Sequence, residues 1–184
     1  MVRVISGIAK GKKLKAPLRA RPLTDRVREA LYNILRQRVL GSSFLDLFAG
    51  SGAVGIEALS RGARQSHFVE INRQACSIIR ENLQATGFAD QAIILNLDAS
   101  KGVNLLARQQ LKFDIIFVGA PYDSFELEQV LLKIAQEEIL VPGGILIAEH
   151  RKQHLLLEEY GSLKAFRQAN YGETVLNFYS VGDK

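Results

Sequence analysis

The feature that most constrains the fold is a regular alternation of short apolar runs with helical stretches after Gly41. Each of the first four runs precedes a segment whose apolar residues recur at helical spacing. The predicted strands are 44–48, 66–71, 92–97, 113–118 and 144–149, and the predicted helices are 54–61, 73–85, 101–110 and 126–138. Repeated strand and helix units predict an α/β domain with a doubly wound parallel sheet.

The C-terminal part departs from this alternation. Segments 162–170 and 173–180 flank Tyr171 and Gly172 and leave no room for a crossover helix. Two strands joined by so short a connection pair antiparallel. We therefore predict a C-terminal hairpin on an otherwise parallel sheet.

The N-terminal part also departs from it. Residues 24–38 carry an apolar stripe at helical spacing, with Thr24 or Asp25 as the N-cap. Before this helix, segments 2–6 and 13–15 are compatible with two short strands around a glycine turn. We divide the chain into an appendage and one domain, with bounds 1–22 and 23–184.

Positive charge is concentrated at the start of the chain. The first 38 residues hold eleven Lys or Arg and two acids, whereas the rest hold 13 basic and 17 acidic residues. Such a block favours binding to a polyanion, because bound cations release counterions from the phosphates. A solvated basic surface is the alternative.

Composition limits the class of protein. A hydrophobic fraction of 47% beside 23% charged residues is typical of a globular domain. The single cysteine, Cys76, and the basic start indicate a cytoplasmic protein without a secretory signal, and the apolar runs are too short for a membrane span. The histidines lack the spacing of metal ligands, so we predict no metal.

A glycine-rich turn follows the first long strand. The motif Gly50-x-Gly52-x-x-Gly55 lets the backbone turn tightly and approach a ligand, with helix amides facing it. Glu70 ends the next strand, at the distance where an acid binds ribose hydroxyls. A cofactor site is one interpretation, and a tight turn without a ligand is the other.

Asp46 distinguishes between the cofactor classes that this turn suits. A dinucleotide motif has an apolar strand before the first glycine, whereas here a carboxylate precedes Gly50 by four residues. A carboxylate can orient a cationic amino acid group, which favours S-adenosylmethionine over a nicotinamide cofactor. Asp98 ends the third strand, where it is placed to accept from an adenine amine or to cap a helix.

The fourth strand ends in Gly119-Ala120-Pro121-Tyr122. In a doubly wound sheet this segment lies at the same edge as the glycine turn. Tyr122 can stack on a flat base, and Pro121 stiffens the loop that holds it. The alternative is a Pro-Tyr turn that packs into the core.

Four regions carry a family resemblance: residues 3–7 with 10–14, 21–31, 46–62 and 171–174. The second, Arg-Pro-x-Thr-Asp-Arg-Val-Arg-Glu-Ala-Leu, is the most specific, because generic methyltransferase folds share only the glycine turn. With these residues the chain resembles the RsmD family, bacterial 16S ribosomal RNA guanine-N2 methyltransferases.

The resemblance implies a Rossmann-like class I methyltransferase fold with a seven-stranded, mostly parallel sheet. It implies a cofactor, S-adenosylmethionine, surrounded by Asp46, Phe48, Ala49, Gly50, Ser51, Gly52, Glu70, Asp98 and Ala99. It also implies a basic hairpin that touches RNA, with candidate phosphate contacts at Arg3, Lys10, Lys12, Lys13, Arg21, Arg26 and Arg28. The implied partner is small-subunit ribosomal RNA or its particle, and we expect a monomer.

One departure concerns the catalytic loop. The family pattern is Asp/Asn-Pro-Pro-Tyr/Phe, whereas this chain has glycine at 119 and alanine at 120. The side-chain acceptor for the exocyclic amine is absent, although the main-chain carbonyls of Gly119 and Ala120 remain and Asp123 is nearby. We expect methylation of the guanine N2 amine in small-subunit ribosomal RNA. The alternative is a weakened enzyme that binds cofactor and RNA.

Overall fold

The computed structural model describes residues 2–18, 22–122 and 125–181. Its α-helices are α1 Asp25–Leu35, α2 Ala53–Ser60, α3 Arg73–Thr86, α4 Ala99–Arg108 and α5 Glu126–Glu137. Its strands are β1 Val2–Arg3, β2 Lys13–Leu14, β3 Ser43–Leu47, β4 Gln65–Val69, β5 Ala92–Leu95, β6 Phe113–Val118, β7 Leu140–Arg151, β8 Glu159–Tyr160, β9 Leu163–Tyr171 and β10 Thr174–Val181. Short 3₁₀ turns lie at Arg36–Val39 and Ala89–Gln91.

The main sheet has the order β5-β4-β3-β6-β7-β10-β9-β8. Strands β3 to β7 pair parallel with one another, whereas β10 pairs antiparallel with β7 and β9, and β8 pairs antiparallel with β9. The parallel sheet and the C-terminal hairpin are therefore confirmed. The sheet has one strand more than the seven expected, because the two-residue β8 pairs with the start of β9. So short an edge strand has no alternation that a sequence pattern could reveal.

The central strands are buried on both faces. All five residues of β3 are buried, and so are most of β6. One hydrophobic cluster combines the sheet with α1, α2 and α3, and a second combines it with α4 and α5. Helices on both faces explain why these strands appear in the sequence as continuous apolar runs. No helix in the described part of the chain is long and apolar enough to cross a membrane.

The topology places a crevice beside β3. The chain runs from β3 to β4 on one side and later to β6 on the other, so the strand order reverses there. In open α/β sheets, ligands bind at such a reversal, outside the carboxyl ends of the strands. The loops that follow β3, β4, β5 and β6 all meet at this edge.

The N-terminal hairpin shares the core of the domain. Val4 and Leu14 are buried in the same cluster as Leu31 of α1. The carboxylate of Glu57 in α2 accepts hydrogen bonds from the backbone amides of Ile5 at 2.8 Å and of Ser6 at 2.9 Å. These contacts hold β1 and β2 against α1 and α2, while the division at residue 22 stays a prediction.

Candidate active site

The loop between β3 and α2 turns sharply at the carboxyl edge. Gly50 and Gly52 have φ angles of 57° and 75°, a region that glycine adopts without steric cost. The Gly52 amide donates to the carbonyl of Ala49 at 2.7 Å, which closes the turn. Apart from its two chain neighbours, no described residue has a heavy atom within 4 Å of a Cβ built on Gly50, so this part of the loop is open to a ligand.

Asp46 is the buried acid beneath this loop. It is 1% exposed, and its Oδ2 accepts from the Gly55 amide at 2.9 Å. Burial raises its pKa from 3.8 to about 8, and the negative charges of Glu70 and Glu149 add to the rise, while the Gly55 amide opposes it. A cation in the adjacent cavity would favour the ionised form of this carboxyl.

Glu70 links β4 to the glycine loop. Its Oε2 accepts from the Gly50 amide at 2.8 Å, and its Oε1 accepts from the Asn72 amide at 2.8 Å. The side chain thus holds the loop in its turned conformation. Carboxylate oxygens can accept more than one hydrogen bond, so these contacts leave capacity for a ligand hydroxyl.

Asp98 caps a helix. Its Oδ1 accepts from the Lys101 amide at 2.9 Å, and this bond lowers the pKa of Asp98. Its Oδ2 also lies 3.3 Å from Lys101 Nζ. The capping role is therefore present, although Asp98 also lines the cavity described next.

A cavity of about 520 Å³ lies at this edge, within the range of about 300–1,000 Å³ usual for ligand sites. Eight of the nine predicted cofactor residues line it; Gly52 does not and instead is the N-cap residue of α2. The four predicted catalytic residues, 119–122 of the loop after β6, also line it. The structure thus brings the predicted cofactor and catalytic residues to one cavity.

Glu149 and Arg151 of β7 are among the side chains of this cavity that were not assigned to it from the sequence. The Tyr122 hydroxyl donates to Glu149 Oε1 at 2.5 Å and lies 3.3 Å from Thr174 Oγ1. The Arg151 guanidinium lies 5.2 Å from the centre of the Tyr122 ring. Burial raises the pKa of Glu149, and the Tyr122 hydrogen bond partly offsets the rise. An acid directly after the apolar run 145–148 was the available signal.

The predicted phosphate contacts divide into two groups. Arg3, Lys10, Lys12, Lys13 and Arg26 are exposed, so they remain candidates. Arg28 is a correction, because its side chain is fully buried and cannot reach a phosphate. It donates to the carbonyl of Arg3 and pairs with Asp25 at 2.9 Å. Arg21 and Asp123 lie outside the described residues.

The side chains of the cavity fit a cationic ligand. Asp46, Glu70 and Glu149 supply carboxylates, and burial together with mutual repulsion raises the pKa of Asp46. A pyrophosphate would meet the same negative charges, whereas an ammonium and a sulfonium group would be stabilised by them. These residues therefore fit S-adenosylmethionine better than a dinucleotide. Within residues 2–18, 22–122 and 125–181, no His, Cys, Asp or Glu cluster is arranged to hold a metal ion.

Comparisons with known proteins identify the family of this chain. The sequence model of a family described as conserved hypothetical protein 95 matches residues 2–180. A protein of Bacillus subtilis (strain 168) is 36% identical over 97% of this chain and 98% of its own length. The ribosomal RNA small subunit methyltransferase D of Escherichia coli (strain K12) is 32% identical over 97% of this chain and 89% of its own length.

A solved structure is also similar to this chain over almost its whole length. A hypothetical protein of Thermus thermophilus superimposes with a TM-score of 0.87 at 32% identity, covering 98% of this chain and 100% of that one. Similarity at this level extends over the N-terminal hairpin as well as the sheet. The chain belongs to the RsmD family of class I methyltransferases.

Proposed function

We propose that this protein transfers the methyl group of S-adenosylmethionine to the exocyclic N2 amine of a guanine in small-subunit ribosomal RNA. The observation that carries the proposal is that Asp46, a predicted cofactor residue, and Tyr122, a predicted catalytic residue, line the same cavity. The names of relatives that methylate small-subunit ribosomal RNA support the substrate class.

Methyl transfer to this amine depends more on how the amine is positioned than on the strength of a catalytic acid or base. When bound, S-adenosylmethionine would supply a methyl group on a positively charged sulfur. The amine nitrogen forms a bond to the methyl carbon as the carbon–sulfur bond breaks, the electron pair of that bond stays on the sulfur, and the nitrogen gives up one proton to water. The amine is a poor nucleophile because its lone pair is delocalised into the ring. Tyr122 holds the flipped-out base by stacking, and acceptors in the 119–122 loop orient the amine.

The exposed cations of the N-terminal hairpin are the proposed contacts to the RNA phosphates. Lys12 and Lys13 are exposed on β2 and the turn before it. Contacts to phosphates position the nucleic acid and carry no sequence information, so we infer that the shape of the RNA or particle selects the target. We propose that the protein acts on RNA as a monomer.

The experiment uses methyl-labelled S-adenosylmethionine and small-subunit particles that lack the modification. Nucleoside analysis should show label in N2-methylguanosine. Label in another nucleoside would contradict the guanine-N2 assignment. Cofactor binding without any label would favour the alternative, a weakened enzyme that retains cofactor and RNA binding.

Asp46→Asn is expected to separate cofactor binding from stability. The affinity for S-adenosylmethionine should fall about 10- to 100-fold, the contribution of one charge-assisted hydrogen bond. The stability of the folded protein at high pH should, in contrast, rise. Because the pKa of Asp46 is raised to about 8, the wild-type fold loses stability as the pH rises from near 3.8 through about 8. The variant should lack this loss and be the more stable protein at pH 9.

Calorimetric titration and thermal unfolding at several pH values check both parts of this prediction. Asp90→Asn is the matched control, because Asp90 is exposed in the turn Ala89–Gln91 and should change neither quantity. Equal cofactor affinity in Asp46→Asn and wild type would remove Asp46 from the cofactor site.

Lys12→Ala with Lys13→Ala is expected to weaken RNA binding and its salt dependence. Each lost phosphate contact lowers the slope of log affinity against log salt by about one. The measurement is a binding titration at several salt concentrations. Lys164→Ala is the control, because Lys164 is equally a surface cation but lies on β9, paired with Glu159. An unchanged slope in the double variant would exclude the hairpin as the RNA contact.

A further inference from the structure

The feature that carries a further inference is the pair formed by Gly119 and Glu149. Strands β6 and β7 are parallel and pair Val118 with Ala148. The next residues, Gly119 and Glu149, therefore lie side by side where the two strands end. A Cβ built on Gly119 would lie 3.4 Å from Glu149 Oε2. The carboxylate of Glu149 thus lies against the space that a side chain at position 119 would enter.

A hydrogen bond from Tyr122 holds the side chain of Glu149 in place. It is 9% exposed, and its Oε1 accepts from the Tyr122 hydroxyl at 2.5 Å. Glu149 and Tyr122 line both the cofactor cavity and a neighbouring cavity of about 330 Å³. The carboxylate of Glu149 therefore lies where the predicted cofactor cavity and the neighbouring cavity meet, beside the Tyr122 ring.

The chemistry of a carboxylate suits one base above the others. Its two oxygens only accept hydrogen bonds. Guanine presents two adjacent donors on its Watson–Crick edge, the N1–H and the N2 amine. Adenine and cytosine place a ring acceptor beside the amine, which a carboxylate repels. A buried, preoriented carboxylate beside a stacking tyrosine therefore matches guanine.

We propose that Glu149 accepts hydrogen bonds from the N1–H and N2 amine of the target guanine, and that it thereby selects guanine and orients the amine. This inference rests on the proposed methyl transfer. Glu149 supplies from β7 the side-chain acceptor that Gly119 does not supply from β6. Gly119 is then part of a functional catalytic site, because its missing side chain leaves room for the Glu149 carboxylate.

The test places guanine or 2-aminopurine at the target position of the small-subunit particle. Both bases carry the N2 amine, but 2-aminopurine has an acceptor at N1. The wild type is expected to favour guanine about 10²-fold in kcat/KM, because a site built for a donor rejects an analogue that lacks it. Glu149→Gln should lose about 10²-fold on guanine and prefer 2-aminopurine, since its amide offers one acceptor and one donor.

The outcomes separate this inference from the proposed function. A wild type that methylates neither base overturns the proposed function. A wild type that treats both bases alike, or a Glu149→Gln variant that loses activity equally on both, overturns the assignment of Glu149. Glu149→Asp is the second variant: it keeps both acceptors and should keep the preference for guanine at a lower rate. Cofactor titration shows that each variant retains its fold.

Gly119→Asp gives an independent check. A second carboxylate beside Glu149 Oε2 would repel it, and the new Cβ would lie 3.0 Å from Phe117 Cε1. We expect kcat/KM on guanine to fall about tenfold or more, the effect of disturbing one preorganised polar group. A rise in activity would show that the site lacked an acceptor and would overturn the role of Glu149.

Discussion

Replacing Tyr122 with alanine is expected to lower kcat/KM for methyl transfer by about 10²-fold, while cofactor affinity changes little. The physical reason is loss of the stacking surface for the flipped-out base, which contributes about 1–3 kcal/mol per base. The ring is well positioned for this role, because Glu149 and Thr174 contact its hydroxyl. Initial rates with undermodified small-subunit particles measure the effect.

Tyr122→Phe is the matched control for this prediction. It keeps the ring but removes the hydroxyl that donates to Glu149, so the loss of activity should be clearly smaller than in the alanine variant. Equal losses in the alanine and phenylalanine variants would show that the hydroxyl, and not stacking, matters at this position. An alanine variant as active as wild type would exclude Tyr122 from base binding.

Glu57→Gln is expected to lower the free energy of unfolding by about 3–5 kcal/mol, the usual cost of breaking a buried ion pair. Glu57 is fully buried, and its Oε1 accepts from Arg61 Nε at 2.8 Å as well as from the Ser6 amide at 2.9 Å. Its Oε2 lies 3.8 Å from Arg28 Nε. A glutamine would turn an NH₂ group toward one of these donors and leave the buried Arg28 charge less compensated.

Urea unfolding measures this effect, with Glu81→Gln as the control. Glu81 forms a surface pair with Lys15 at 2.6 Å, in which the side chains are 50% and 72% exposed. Such a pair contributes about 0–1 kcal/mol. If Glu57→Gln cost no more than Glu81→Gln, the buried network could not be what holds the hairpin to α2.

Much of the candidate cofactor site could be predicted from the sequence because it is built from local signals. The glycine turn and the acids at the ends of successive strands are each readable within a few residues. Parallel strands meet at one edge, so Asp46, Glu70 and Asp98 were expected to converge, and all three line one cavity. The capping bond of Asp98 is equally local, and the structure contains it.

The basic segment shows where sequence reasoning reaches its limit. A charged residue in a basic block is normally solvated, and Arg28 was therefore expected to bind phosphate. It lies, however, on the buried stripe of α1 with Leu31, Tyr32 and Leu35. Its burial depends on the hairpin and α2 closing over that helix, which bring the carbonyl of Arg3 and the carboxylate of Glu57 to it.

The sequence by itself determined the alternation of strands and helices, the glycine turn after β3 and the position of Tyr122 at the end of β6, because periodicity and turn chemistry act over a few neighbouring residues. Only the tertiary structure decided the partners of those groups. Gly119 and Glu149 are 30 residues apart, and the parallel register of β6 and β7 places them side by side. Register depends on the packing of whole strands, so the apparent loss of an acceptor at Gly119 becomes interpretable only once Glu149 is seen beside it.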